Sequence, residues 1–127
     1  MPYAYDDQNV FARILRGEIP CSKVHETEHS LAFKDINPQA PTHLLVIPKG
    51  AYVNWDHFAA AASEAEIVDF VRAAARVAEM AGVAVSAGGD GFRLISNAGP
   101  DSHQEVPHLH VHICAGRPLG RMLAALG

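Results

Sequence analysis

The chain has 127 residues, enough for one domain with a sizeable core, and 49% of them are hydrophobic against 19% charged, an ordinary globular balance. Its formal net charge of −4 argues against general affinity for nucleic acid or an anionic membrane surface. No apolar run approaches the ~20 residues of a bilayer-spanning helix. Asp6 and Asp7 stand where a signal peptide would be basic, and Cys21 and Cys114 make no disulfide framework. These features predict a soluble cytoplasmic protein with one domain over residues 1–127. Any phosphate it handles would have to be held locally, by amides, imidazoles and dipoles.

In chain order, Asp6 and Asp7 can cap a short helix in which Val10, Phe11, Ile14 and Leu15 fall at helical spacing, with Gly17 just past its end. Lys23–Glu26 and Ser30–Lys34 read as strands around a polar turn. Asp35-Ile36-Asn37-Pro38-Gln39-Ala40-Pro41 reads as a loop, because its two prolines exclude helix and ladder alike. Residues 42–47 form a β-rich run closed by Pro48-Lys49-Gly50, and residues 54–62 suit a short helix. Ser63-Glu64-Ala65-Glu66 is a capping box that opens the longest helix, whose stripe of Ile67, Phe70, Val71, Ala74, Val77, Ala78 and Ala81 ends at Gly82. Residues 92–96 form another strand, and residues 97–104 make a Gly/Pro/Asp/Ser loop. The expected architecture is α+β, a five-stranded, mostly antiparallel sheet with two main helices.

The loop leads into Glu105-Val106-Pro107-His108-Leu109-His110-Val111-His112-Ile113, where histidines alternate with apolar residues. That period of two is a half-buried strand, on which His108, His110 and His112 share one face and Leu109, Val111 and Ile113 the other. Such an imidazole row suits a nucleophile and proton carrier near neutral pH, and it equally suits zinc. His25, His29 and His57 have no motif around them and are read as surface residues.

The block Gln104-x-Val106-x-His108-Leu109-His110-Val111-His112-Ile113 resembles the signature of the histidine-triad (HIT) family. The run Asp35 to Lys49 is similar to the family's other block, in the family's order. Asn97 and the Gly116-Arg117-Pro118-Leu119-Gly120 tail resemble the Hint branch, in its bacterial form; Fhit-like hydrolases usually carry Gln at the position of Asn97. This resemblance implies a HIT-like fold in which two subunits join their sheets into one continuous sheet. It implies a hydrolase for purine nucleoside phosphoramidates, AMP or GMP derivatives and related adenylates. His110 would attack the α-phosphorus and be transiently nucleotidylated, and water would release the monophosphate. His112 would contact phosphate, His108 would support the nucleophile, and His43 would belong to the proton-transfer network. Asp35 would hold the ribose hydroxyls, and Phe11, Ile14, Ile36 and Leu45 would wall the base. Asn97 and the backbone of Gln104, Glu105 and Val106 would hold phosphate oxygens. No metal and no cofactor is required where imidazoles and amides stabilise the developing charge. The alternatives are a dinucleoside polyphosphate hydrolase of Fhit type and a non-catalytic nucleotide- or zinc-binding adaptor. Two positions differ from common members of the branch, His103 replacing a glycine and Pro107 an aromatic or larger residue, while Glu105 stands where many eukaryotic members have a serine and bacterial members often carry Glu.

Overall fold

The structure is a computed structural model that describes residues 3–124. A central sheet carries strands in the order β1-β2-β3-β5-β4, every neighbouring pair antiparallel. The strands are β1 (Lys23–Glu26), β2 (Ser30–Lys34), β3 (Thr42–Pro48), β4 (Phe92–Ile95) and β5 (Val111–Ala115). Helices α1 (Val10–Leu15), α2 (Trp55–Ala61) and α3 (Glu64–Met80) complete the fold.

Strand β3 lies in the middle and is buried along almost its whole length, which is why its sequence is a continuous apolar run rather than an alternation. Its residues still divide by face. Leu44 and Val46 join Ala32, Leu109, Val111 and Ile113 against Phe58 of α2 and Phe70, Ala73, Ala74 and Val77 of α3. Leu45 and Ile47 join Leu31 and Phe33 on the other face, where Phe11 of α1 covers them. Helix α3 begins at the expected capping box: Ser63 Oγ accepts from Glu66 N, and the Glu66 carboxylate accepts from Ser63 N.

Three expectations need correction. The cap of α1 is Asn9, whose Oδ1 accepts from Ala12 N at 3.0 Å, because the helix starts only at Val10 and Asp6 and Asp7 lie too far upstream. Val71 is 58% exposed, and Ala73 occupies the core in its place; Val71 sits one residue, about 100° of helical rotation, past the buried Phe70. The histidine segment is not strand throughout, since β5 begins at Val111. Pro48 and Pro107 both lack an N–H, so the ladder cannot continue there. The backbone of residues 108–110 finds partners outside it instead: Leu109 N donates to Tyr52 O at 2.8 Å, and Ser96 Oγ donates to His110 O at 3.0 Å.

Candidate active site

The alternation of faces survives the loss of ladder pairing. Leu109, Val111 and Ile113 point to α3, so His108, His110 and His112 occupy the side covered by α1. His43 has the same parity as Leu45 on β3, and the β3–β5 register sets Leu45 opposite His112 and His43 opposite Cys114. Two distant segments therefore bring a fourth imidazole to the row: His43 Nε2 lies 2.9 Å from His112 Nδ1. The 35–41 loop adds a carboxylate, with Asp35 Oδ2 3.3 Å from His43 Nε2. The other oxygen of Asp35 accepts from Asn37 N at 2.8 Å, a local turn that holds the side chain in place. Gly116, at φ +99, fixes that loop from the other side; a Cβ there would meet Pro41 Cβ at 2.7 Å.

Hydrogen bonds to backbone groups decide where each ring carries its proton. A carbonyl only accepts and an amide N–H only donates. His110 Nδ1 sits 2.8 Å from His108 O, so Nδ1 bears the hydrogen and Nε2 keeps a lone pair. Gln39 N donates to His43 Nδ1 at 3.0 Å, so the hydrogen of His43 is on Nε2, directed at His112 Nδ1 and Asp35. His112 must then accept at Nδ1 and carry its own hydrogen on Nε2. His108, fully buried, has Nε2 2.8 Å from Pro48 O and Nδ1 2.6 Å from the Tyr5 hydroxyl. Adjacent rings thus present opposite groups, a lone pair on His110 and an N–H on His112. Burial pushes His108 and His112 down to about 4, with neighbouring imidazoles adding to the shift in His112. Burial lowers His110 as well, partly opposed by its bond to the His108 carbonyl. All three are uncharged at neutral pH.

The His43, His110 and His112 rings border a cleft of about 390 Å³. Phe11, Ile14, Asp35, Ile36, His43, Leu45, Asn97, Glu105, Val106, His110 and His112 line it. Phe11 meets the His110 ring edge-on at 5.0 Å, and Ile36, 90% exposed, forms the outer lip. Two expected residues stand behind the wall. His108 is sealed beneath it, and Gln104 ties the 97–104 loop down by donating to Val53 O and Val106 O and accepting from Gly99 N. The lining also includes Ile19, Pro20, Cys21, Phe33, Lys34, Gln39, Ile95, His103 and Cys114. Cys114 was findable, standing two residues beyond His112 on the same face; Ile95 depends on its pairing opposite His112, which no local pattern reveals. His25, His29 and His57 are all half-buried rather than fully exposed, and His57 accepts from Val53 N at Nδ1. Asp35, His43 and His112 also offer ligand atoms within 4.8 Å of one another, a spacing open to one metal ion.

The family model for the HIT domain matches residues 16–119. The chain belongs to the HIT family. It is 63% identical to a 13.2 kDa HIT-like protein of Azospirillum brasilense, over 97% of this chain and 98% of that one. It is 40% identical to the purine nucleoside phosphoramidase of Escherichia coli, over 95% and 98% respectively. A HIT family hydrolase from Clostridium thermocellum superposes with a TM-score of 0.79 at 37% identity, covering 93% of this chain and 99% of that one. These HIT relatives span the chain nearly end to end, the cleft included.

Proposed function

We propose that this HIT-family chain is a hydrolase that cleaves purine nucleoside phosphoramidates at the α-phosphorus through a nucleotidyl-His110 intermediate. The observation that carries the reading is the pairing of a lone pair on His110 Nε2 with an N–H on His112 Nε2, side by side in one apolar cleft. The first is what attack on phosphorus requires, and the second is what a non-bridging oxygen requires as charge gathers on it. As the Nε2–phosphorus bond forms, the phosphorus–nitrogen bond breaks and the departing amine takes a proton from solvent water, which the hydrolysis step returns. The nucleotidylated ring becomes cationic, and the His108 carbonyl already faces its Nδ1–H. Water then cleaves the Nε2–phosphorus bond and restores the histidine.

Asp35 holds the ribose hydroxyls, and Phe11, Ile14, Ile36 and Leu45 enclose the base. Asn97 and the backbone of residues 104–106 hold phosphate oxygens. The Escherichia coli relative's name supports the substrate class, and Asn97 argues against the dinucleoside polyphosphate alternative. Two copies pair through β4, whose outer edge is unpaired among the described residues and whose Phe92, Leu94 and Ile95 are exposed. Sedimentation at low micromolar concentration then gives about twice the 13.6 kDa chain mass, and a clean monomer refutes the pairing.

The test of the mechanism is the adduct. A slow-leaving adenosine phosphoramidate, quenched into alkali, leaves AMP on the peptide carrying His108 to His112, and His110→Ala loses about 10³-fold of the rate while still binding nucleotide. No adduct, or a His110→Ala enzyme that keeps most of its rate, overturns it. A second reading rests on Asp35, His43 and His112 as metal ligands. Turnover that survives a chelator rejects that reading, and turnover restored only by zinc favours it.

A further inference from the structure

The segment before α1 is fastened at several points. The Tyr3 ring stacks on His57 at 4.7 Å and its hydroxyl bonds Asp56, while Arg16 Nη1 donates to Asp7 O at 2.7 Å. Between these anchors, Tyr5 delivers its hydroxyl to His108 Nδ1 at 2.6 Å, and its ring meets the His108 ring edge-on at 5.6 Å. The Pro48 carbonyl on the far side of His108 can only accept, so Nε2 carries the hydrogen and Nδ1 is a buried lone pair in need of a donor. The Tyr5 hydroxyl is that donor. The same residue's carbonyl, His108 O, receives the Nδ1–H of His110.

We propose that Tyr5 is a positioning residue for the reaction at His110: its O–H clamps the His108 ring against Pro48 and so holds the His108 carbonyl where it fixes the His110 tautomer. The proposal rests on the reading of His110 as the nucleophile. Packing alone does not call for the hydroxyl, because phenylalanine would make the same edge-on ring contact. What phenylalanine cannot do is donate to Nδ1. Without that bond the ring is held at one end only, and the peptide that aims His110 loses one of its supports.

The experiment is Tyr5→Phe, read three ways. The single-turnover rate of nucleotidylation is expected to fall about tenfold, the loss of one hydrogen bond's worth of alignment, while the dissociation constant for AMP stays within twofold. Two-bond ¹H–¹⁵N spectra of the wild type should show His108 as the Nε2–H form and His110 as the Nδ1–H form, and in Tyr5→Phe His110 should become a mixture. A merely structural tyrosine would change the melting temperature and leave both the binding–chemistry split and the tautomers alone. The proposal is overturned by a nucleotidylation rate within twofold of wild type, or by an unchanged His110 tautomer. If Tyr5→Phe does not fold, 3-fluorotyrosine at position 5 replaces it; its stronger donor must move the His108 Nδ1 resonance, and no movement refutes the clamp. If the wild type hydrolyses no phosphoramidate, the reaction fails, and the nitrogen spectra alone judge whether Tyr5 governs His110.

Discussion

Lowering the pH from 7 to 5 should cost this fold at least about 2 kcal/mol, with His108 the largest share that the structure resolves and the buried His110 adding in the same direction. In the unfolded chain its imidazole has the ordinary value of 6.5, and burial lowers the folded value to about 4. Between those values the unfolded state binds more protons than the folded one. Stability is therefore complete above 6.5 and is lost progressively as the pH falls toward 4. For one such group the loss at pH 5 is about 2 kcal/mol, from RT ln(1 + 10^1.5). His112 is lowered to a similar value, but it is partly open to the cleft, and solvent screening reduces its share to about 1 kcal/mol or less. The carboxylates held below their usual range, Glu18, Glu26, Glu66 and Asp69, have unfolded values of 4.5 for the glutamates and 3.8 for the aspartate and contribute only at lower pH. Urea melts at fixed protomer concentration, taken at half-unit steps of pH, measure the slope. In His108→Gln, whose amide neither gains nor loses a proton here, the largest single share of that slope should vanish. A wild-type stability that is flat between pH 7 and 5, or a His108 ring titrating near 6.5 by NMR, would show that the burial argument is wrong.

Two substitutions test the cleft and its frame. Asp35→Ala should weaken AMP binding about ten- to a hundredfold, the value of a charged hydrogen bond, with a smaller effect on single-turnover chemistry. An unchanged dissociation constant with slowed chemistry would remove Asp35 from the ribose. Gly116→Ala should cost about 2 kcal/mol in denaturant melts, since it adds a Cβ at positive φ against Pro41. Gly17→Ala serves as its control, because φ there is +78 but the space around it is open; equal losses at the two sites would leave the Pro41 contact without effect.

The strands, the long helix and the face carrying the imidazoles were legible because each is a local pattern: alternation, the 3.6-residue stripe, the capping box. Where two patterns competed, the reading slipped. Val71 fits the apolar stripe by type, and only the packing of α3 against the sheet decides that Ala73 is inward instead. Alternation reports which face a residue takes, not whether its backbone has a ladder partner, so the expected histidine strand extends beyond the observed start of β5 at Val111. Asp35, His43 and His112 could be named individually, yet their convergence depends on β3 lying next to β5, a pairing between distant segments. The Tyr5–His108 bond left no trace in the sequence, since a tyrosine before a short helix looks like any surface aromatic.

The group that aims His110 is the main-chain carbonyl of residue 108 rather than a carboxylate. Every amino acid brings a carbonyl, so no point mutation can delete this orienting partner; a substitution can only shift it. Damage to the aim of His110 must therefore arrive indirectly, through the peptide's supports at Tyr5, Pro48, Tyr52 and Ser96. Such lesions should be graded and cumulative, each costing a fraction of the rate, whereas loss of the His110 ring is all-or-none. For anyone transplanting the proposed nucleophile into another scaffold, the requirement is correspondingly modest: an extended segment with the histidine two residues past a firmly anchored peptide, and no second acid to place.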